Sequence, residues 1–254
     1  MFLCRGLHDE RGPRLDTSKM PRIYKDEGIV LKTIKLGEAD RIVTLFAREA
    51  GKVRAVAKGI RKTKSRFGAR LEPFTRVQMV IYRGRNLDTI TSADIITSFD
   101  EVRRDYQRLR QASALADFVE KITPERERSL PTYALLHAAL QALAAGKPNV
   151  VPAFVVKLLS HSGYHPQLSV CAGCGSPGPL GAFSAHLGGA VCRECWQKDR
   201  ESVRLEPAQN ELLRRMLASE FGEPGDAREL TLALRMYAEY HLERPLKSLV
   251  SAAS

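Results

Sequence analysis

The chain has 254 residues, of which 44% are hydrophobic, and it carries a formal net charge of +11. This composition excludes a disordered chain, because there is enough apolar surface to build a core. No apolar run approaches the roughly 20 residues that span a bilayer, and charges interrupt every apolar stretch near the start. We therefore expect a cytoplasmic protein without a membrane segment or a signal peptide.

The positive charge is concentrated near the front of the chain. Residues 20–80 contain 15 Lys and Arg against 6 Asp and Glu, a surplus of nine within about a quarter of the length. Such an excess favours a polyanionic partner, either nucleic acid or an anionic membrane surface. A membrane surface is disfavoured, since the charge lies in a β-rich region and not along an amphipathic helix.

Residues 1–19 are polar and show no sustained period, so we expect an unstructured extension. A new pattern begins at Met20, which could be the natural start in place of Met1.

The region from Ile23 to Phe99 has the pattern of short β-strands with close turns. Five apolar or alternating runs occur, at 27–34, 41–47, 53–57, 76–82 and 87–97. This number of strands over residues 20–99 predicts a small barrel. A five-stranded barrel of the OB type fits the length and strand count, and an SH3-like barrel fits the local signals nearly as well.

From Asp100 the apolar period becomes helical, and we expect an α-helical domain over residues 100–254. Asp100 is the expected N-cap of a first helix that continues to Ile122. The other helices are expected at about 131–145, 152–163, 207–219 and 226–244. An insertion at 166–198, rich in Gly, Cys and Pro, separates the third helix from the fourth.

Two Cys-x-x-Cys pairs lie in this insertion. Cys171 and Cys174 are separated by 17 residues from Cys192 and Cys195, which is the spacing of a four-thiolate zinc site. Four thiolates leave no position open for water, so we predict one structural Zn²⁺ ion and no catalytic role for it. The alternative is two free pairs, one of them redox-active. We interpret His161, His165 and His186 nearby as ordinary surface or packing residues.

A dense basic segment lies between the third and fourth predicted strands, bracketed by Gly59 and Gly68. Long cationic side chains on such a loop can follow phosphates without reading bases. Phe67, and also Tyr82, could stack on bases, whereas the simpler interpretation is a solvated loop with a buried Phe67. The predicted DNA-binding residues are Arg41, Arg54, Lys58, Arg61, Lys62, Lys64, Arg66 and Arg70.

Motifs that would indicate catalysis do not occur. The sequence contains no P-loop, no dinucleotide-binding fingerprint and no nucleophile elbow, and no acidic cluster suggests a two-metal nuclease. We therefore find no case for an enzyme.

Taken in order, these features are similar to those of a known family. The stretch from Asp26 to Ser65, the following Leu71–Phe74, the helical region and the cysteine motif resemble the bacterial recombination-repair family RecO. The block from Gly37 to Gly59 is the most specific part. Residues 1–19 depart from the family pattern.

The resemblance implies an OB-fold domain, a helical domain and a zinc-binding element, and a function without catalysis. RecO proteins bind single- and double-stranded DNA, anneal complementary strands and, with RecR, help RecA to replace single-strand-binding protein (SSB). The resemblance thus implies a protein of the nucleoid. SSB presents an acidic tail with an apolar end in related systems, which a groove with basic rims would suit. Candidate tail contacts are Arg103, Arg104, Arg108 and Arg110, although a solvated helix face explains them as well.

Two other functions fit the same residues. One is a zinc-ribbon transcription or translation accessory factor that binds duplex DNA or RNA. The other is an interaction scaffold whose positive charge serves an acidic protein partner.

Overall fold

The computed structural model describes residues 22–62, residue 65 and residues 67–252. The extension expected at 1–19 lies outside the described residues, as do Lys64 and Arg66 of the predicted DNA-binding set.

The N-terminal part of the fold is a closed five-stranded β-barrel. Its strand order is β1-β2-β3-β5-β4, and β1 closes the barrel by pairing with both β2 and β4. β3 and β5 run parallel, and the other neighbours are antiparallel. This arrangement confirms the OB-type prediction over the SH3-like alternative. The strands are β1 (Ile23–Leu36), β2 (Asp40–Ala47), β3 (Gly51–Ala57), β4 (Arg76–Tyr82) and β5 (Asp88–Thr97).

The interior of the barrel is filled by apolar side chains at alternate positions of each strand. Val43 and Leu45 of β2 meet Val53 and Ala55 of β3 in a core that excludes water. Phe67, which precedes a short 3₁₀ helix at Gly68–Leu71, adds its ring to the same core. Part of the loop between β3 and β4 is therefore an integral part of the barrel.

Eight helices form most of the rest of the described chain. The helices are α1 (Asp100–Arg104), α2 (Tyr106–Ile122), α3 (Leu130–Ala144), α4 (Val150–His161), α5 (Arg193–Lys198), α6 (Pro207–Ala218), α7 (Arg228–Leu242) and α8 (Lys247–Ala252). Among the described helices, none combines the length and apolar character needed to cross a membrane.

The sequence-based expectation for the first helix was wrong in one respect. The chain breaks at Asp105, whose side chain accepts a hydrogen bond from the Arg108 backbone N–H at 2.9 Å and so caps α2. Asp100 is inside the short helix α1 and makes no cap, because its carboxylate pairs with Arg103.

A three-stranded sheet within residues 180–204 was not predicted. Its strands are β6 (Leu180–Ser184), β7 (Gly189–Cys192) and β8 (Val203–Arg204), in the order β7-β6-β8. Phe183 of this sheet stacks edge-on against Tyr237 of α7 at 5.5 Å, which joins the sheet to the helical core.

Part of the outer face of the barrel packs against the helices. Ile29, Leu31 and Phe46 point away from the barrel interior and belong to the same buried cluster as the helices. Beside them, Arg76 donates to Glu27 at 2.6 Å, and Tyr133 of α3 hydrogen-bonds the same carboxylate. One face of the barrel is thus occupied by the helical domain and is closed to ligands.

The connector between α2 and α3 fixes this arrangement at a second point. The Lys52 ammonium donates to the carbonyl oxygens of Glu120 at 2.5 Å and Thr123 at 2.6 Å. The Arg126 guanidinium donates to the fully buried Asp88 at 2.9 Å. At Gly51 the backbone of the connector approaches so closely that a Cβ would lie 1.9 Å from the Glu127 carbonyl oxygen.

We expect Gly51→Ala to lower the free energy of unfolding by roughly 3 kcal/mol or more, since a backbone clash adds to the cost of positive φ. Gly37→Ala is the matched control, because Gly37 also has positive φ but nothing lies within 4 Å of its Cβ position. The control should lose only about 1 kcal/mol. Urea unfolding monitored by circular dichroism measures both values. Equal losses would show that the connector does not press on the barrel.

Candidate metal centre and nucleic-acid interface

Two tight turns bring the four cysteines together. The first pair lies in a turn in which the Gly175 N–H donates to the Cys171 carbonyl at 2.8 Å. The second pair starts at the end of β7 with Cys192 and continues into α5 with Cys195. All four sulfur atoms lie within 4.8 Å of one another. The predicted cluster is therefore assembled in the fold, from segments 17 residues apart in sequence.

The geometry and donor set suit a tetrahedral metal ion. The Cys174 and Cys192 sulfurs are 3.7 Å apart, and a tetrahedron with metal–sulfur bonds of about 2.3 Å has an edge of about 3.8 Å. Gly173 makes room for the cluster, because a Cβ there would lie 2.9 Å from the Cys195 sulfur. The four cysteines could thus hold one metal ion.

The pKa values of the cysteines reflect how closely the sulfur atoms are packed. Burial raises the pKa of Cys171, but backbone N–H groups of Cys192, Cys174 and Gly173 outweigh it and lower the pKa to about 6. The neighbouring Cys171 sulfur in turn raises the pKa of Cys195 to about 12. Four thiolates at this distance repel one another, whereas a bound metal ion keeps coordinating thiols deprotonated.

The cluster has a small hydrophobic core of its own. Ala182 and Val191 are fully buried beside Cys171, with Leu187 and Trp196 packed around them. None of the three nearby histidines joins the sulfur group. His165 is hydrogen-bonded to Ser160 at 2.7 Å, and His186 stacks on Tyr240. Their interpretation as packing or surface residues is consistent with these contacts.

The predicted DNA-binding cations differ in how far neighbouring carboxylates neutralise them. Arg41 is partly neutralised, because it forms an ion pair with Glu72 at 3.3 Å and is largely covered. Arg54, Lys58 and Lys62 are exposed and form no ion pair with any carboxylate in the described part of the chain. Three exposed cations therefore remain available, Arg54 on β3 and Lys58 and Lys62 on the adjoining loop.

The two other described cations of the set are also exposed. Arg61 is exposed and donates to the Gly37 carbonyl at 3.2 Å, which joins the β3–β4 loop to the β1–β2 turn. Arg70 is exposed at the end of the 3₁₀ helix. Phe67, in contrast, is only 1% exposed, so the idea that it stacks on bases is wrong and its packing role is correct. Tyr82 on β4 is 40% exposed and keeps an accessible ring.

The strand register adds residues that the sequence pattern did not reveal. Lys32 of β1 pairs with Thr44 of β2, which pairs in turn with Arg54 of β3, so these three side chains share one outward face. Ile34 continues the same face and is 46% exposed. The face of strands 2 and 3 is where OB folds bind oligonucleotides. Alternation alone could not find Lys32, because the register of the pairing decides which residues meet.

A groove of about 620 Å³ lies in the helical domain between α3, α4 and the end of α6. Its floor is apolar, with Leu135 and Ala138 on one side and Leu217 and Phe221 on the other. Its ionisable groups are the exposed Lys147, the half-buried Lys157, His161 and one carboxylate, Glu220. The Lys157 ammonium donates to the carbonyls of Leu217 and Ser219, and its burial lowers its pKa.

The four arginines considered for a tail contact lie elsewhere. Arg103 donates to the Pro73 carbonyl and Arg108 to the Ala144 carbonyl, so both hold the fold together. Arg110 lies over the Tyr106 ring at 5.6 Å, and Arg104 is exposed at the end of α1. None of them lines the groove.

Comparison with known proteins agrees with the resemblance seen in the sequence. The family model described as "Recombination protein O N terminal" matches residues 20–99, and "Recombination protein O C terminal" matches residues 103–250. The DNA repair protein RecO of Nocardioides sp. is 42% identical over 240 residues, which cover 89% of this chain and 98% of that protein. RecO of Thermobifida fusca is 40% identical over 238 residues, covering 89% and 97%. For RecO of Streptomyces coelicolor the identity is 41% over 243 residues, covering 89% and 97%. The chain therefore belongs to the RecO family of DNA repair proteins.

Proposed function

We propose that this chain is a non-catalytic mediator of recombinational repair that binds single- and double-stranded DNA and anneals complementary strands. Together with RecR it would promote loading of RecA onto SSB-coated DNA in the cytoplasm, at the nucleoid. The observation that carries the proposal is a set of three exposed cations, Arg54 on β3 and Lys58 and Lys62 on the adjoining loop, which form no ion pair within the described residues.

Annealing follows from neutralisation of charge. Two complementary strands repel one another, and cations that bind phosphates lower this repulsion and release counterions. Contacts to phosphate leave the base edges free to pair with the second strand. Membership of a family named for DNA repair supports DNA as the polyanion, ahead of an acidic protein.

The annealing of complementary oligonucleotides, with and without SSB and RecR, separates the proposed function from its rivals. We expect faster annealing with the protein present and a further effect of RecR on SSB-coated strands. A factor that reads duplex grooves would bind but not anneal. A scaffold for an acidic protein would bind no DNA at moderate salt.

We predict that Lys58→Glu with Lys62→Glu weakens binding of a single-stranded oligonucleotide regardless of its sequence. The double variant should lose about two phosphate contacts. The negative slope of log K against log salt should therefore become shallower by about 1.4. Fluorescence anisotropy at several salt concentrations measures both quantities.

The control for this experiment is Arg204→Glu with Arg214→Glu, which changes the net charge equally on the helical domain. Both of these arginines are exposed and lie near Glu206 and Glu211. An unchanged dissociation constant in the Lys58 and Lys62 variant, or an equal loss in the control, would contradict the proposed DNA surface.

We further propose that the metal ion in the cysteine cluster is zinc and that it is structural. Four thiolate ligands without an open position are typical of structural zinc sites. The ion would hold together a segment whose own core consists of a few small side chains around Ala182 and Val191. Residues of the barrel do not contribute to the cluster.

Gly173→Ala should weaken zinc binding about tenfold or more, because its Cβ would displace the Cys195 sulfur. Gly181→Ala is the matched control, since nothing lies within 4 Å of its Cβ position. Competition with a chromogenic chelator gives the affinity, and about one Zn²⁺ per chain is expected for the parent protein. Retention of parental zinc affinity by Gly173→Ala would contradict the arrangement of the ligands.

The groove between α3, α4 and α6 is our proposed site for the SSB tail. An acidic peptide with an apolar end matches an apolar floor flanked by Lys147 and Lys157. Lys157 is already hydrogen-bonded to two carbonyls, so Lys147 is the cation free to meet the peptide's carboxylates.

Lys147→Glu should weaken binding of such a peptide about fivefold and make the remaining binding less sensitive to salt. Lys198→Glu, a reversal at another exposed lysine outside the groove, should leave peptide affinity unchanged. Anisotropy of a labelled peptide gives both affinities. Equal affinities for the parent protein and Lys147→Glu would remove the groove as the tail site.

A further inference from the structure

A second concave site lies where the outer face of the barrel meets the helical domain. This cleft has a volume of about 350 Å³ and is lined by strands β1 to β3, by α2 with the connector that follows it, and by Arg244 just after α7. Five cations and three carboxylates line it. The cations are Lys32, Lys52, Arg54, Lys121 and Arg244, and the carboxylates are Asp117, Glu120 and Glu125.

Part of this charge is already neutralised inside the cleft. Lys32 pairs with Glu120 at 2.6 Å, and Lys121 pairs with Asp117 at 2.9 Å. Lys52 donates to backbone carbonyls. Within the described residues, Arg54 and Arg244 form no ion pair, and both are exposed. The two guanidinium groups therefore carry the unbalanced positive charge of the site.

A buried hydroxyl without a partner lies between the strands that carry these cations. Thr44 is only 1% exposed, lines the cleft, and its Oγ1 has no hydrogen-bond partner among the described residues. The register places Thr44 directly between Lys32 and Arg54. Because burying an unpaired hydroxyl costs free energy, such a group points to a ligand that accepts its hydrogen bond.

Lys52 is not the group that a ligand in the cleft would meet. Burial lowers its pKa, the carboxylates of Glu120 and Glu125 oppose this effect, and Arg244 and Lys32 lower the pKa to a smaller extent. Its ammonium is already held by the two backbone carbonyls, so the open contacts of the cleft are those of Thr44, Arg54 and Arg244.

We propose that the cleft binds a phosphate group, which accepts a hydrogen bond from Thr44 Oγ1 and ionic contacts from Arg54 and Arg244. A phosphate oxygen suits a hydroxyl donor, and the planar guanidinium suits phosphate geometry. The phosphate comes either from the backbone of a nucleic acid or from a free phosphate. The first source rests on the proposed DNA-binding function, and it would carry the strand from the barrel face onto the helical domain.

Two substitutions test the site. Thr44→Val keeps the shape of the side chain and removes only the hydroxyl, which has no partner to lose, so the midpoint of thermal unfolding should not fall. Its affinity for a single-stranded oligonucleotide should fall about tenfold, as for a lost hydrogen bond to a charged group. Arg244→Gln should lower the affinity about fivefold. It should also make the negative slope of log K against log salt shallower by about 0.7.

Arg228→Gln is the matched control at the opposite end of α7. Arg228 is the first residue of this helix, which is roughly 21 Å long at a rise of 1.5 Å per residue, whereas Arg244 follows its last residue, Leu242. Arg228 pairs with Asp226. Its loss should leave the oligonucleotide affinity and the slope of log K against log salt unchanged. This control distinguishes a general effect of net charge from the loss of a contact in the cleft.

A second measurement identifies the source of the phosphate. Inorganic phosphate replaces chloride stepwise in the protein solution at constant ionic strength. The NMR signal of the Thr44 methyl group is followed at each step. A saturable shift that Arg244→Gln abolishes, together with weaker oligonucleotide binding by both variants, supports a subsite for the nucleic-acid backbone. The same shift with unchanged oligonucleotide binding supports a site for free phosphate and excludes the backbone.

The proposal is overturned if neither variant changes oligonucleotide binding and phosphate produces no saturable shift. This result differs from failure of the proposed function. If the parent protein binds no DNA, the DNA-binding function is wrong, whereas the phosphate titration still decides whether the cleft takes an anion.

Discussion

The packing of the barrel against the helices is the constraint on which the other surfaces depend. A closed barrel has no free edges, so what it can bind is decided by which part of its outer face stays open. Here Ile29, Leu31 and Phe46 bury one part in the helical core, and Gly51 allows the α2–α3 connector to press against β3. The remaining face, from Lys32 across Thr44 to Arg54, therefore opens beside α2, and a ligand on it would meet both domains.

The same packing separates cations that hold the fold from cations that can meet a ligand. Lys52 and Arg126 bind carbonyls or a buried carboxylate across the junction, so their charge is used inside the protein. The positive charges of Arg54, Lys58 and Lys62 are exposed to solvent. Net charge alone does not make this distinction, because a basic residue contributes to an external field only to the extent that no neighbouring acid cancels it.

Local patterns were enough to predict much of the architecture and the cysteine cluster. The strand Arg76–Tyr82 was predicted with its observed bounds, and the cysteine spacing identified a cluster whose pairs each fold within one turn. Features that depend on distant contacts were not predictable in this way. The short strands β6 to β8 are stabilised by packing on α7 and not by their own alternation, and the break at Asp105 interrupts a continuous apolar period. Likewise, the cleft around Thr44 requires the register of three strands and the position of a helix end.

The distribution of carboxylates bears on how a strand-annealing protein can work. A surface of unopposed cations would hold DNA so tightly that a paired duplex could not leave, since each phosphate contact adds to affinity. On this barrel, Glu72 beside Arg41 and Glu120 beside Lys32 cancel part of the charge next to the open cations. Under the proposed function, this balance would leave contacts to phosphate that are few, independent of sequence and weakened by salt. Such contacts suit a protein that must bring two strands together, leave their base edges free and then release the product.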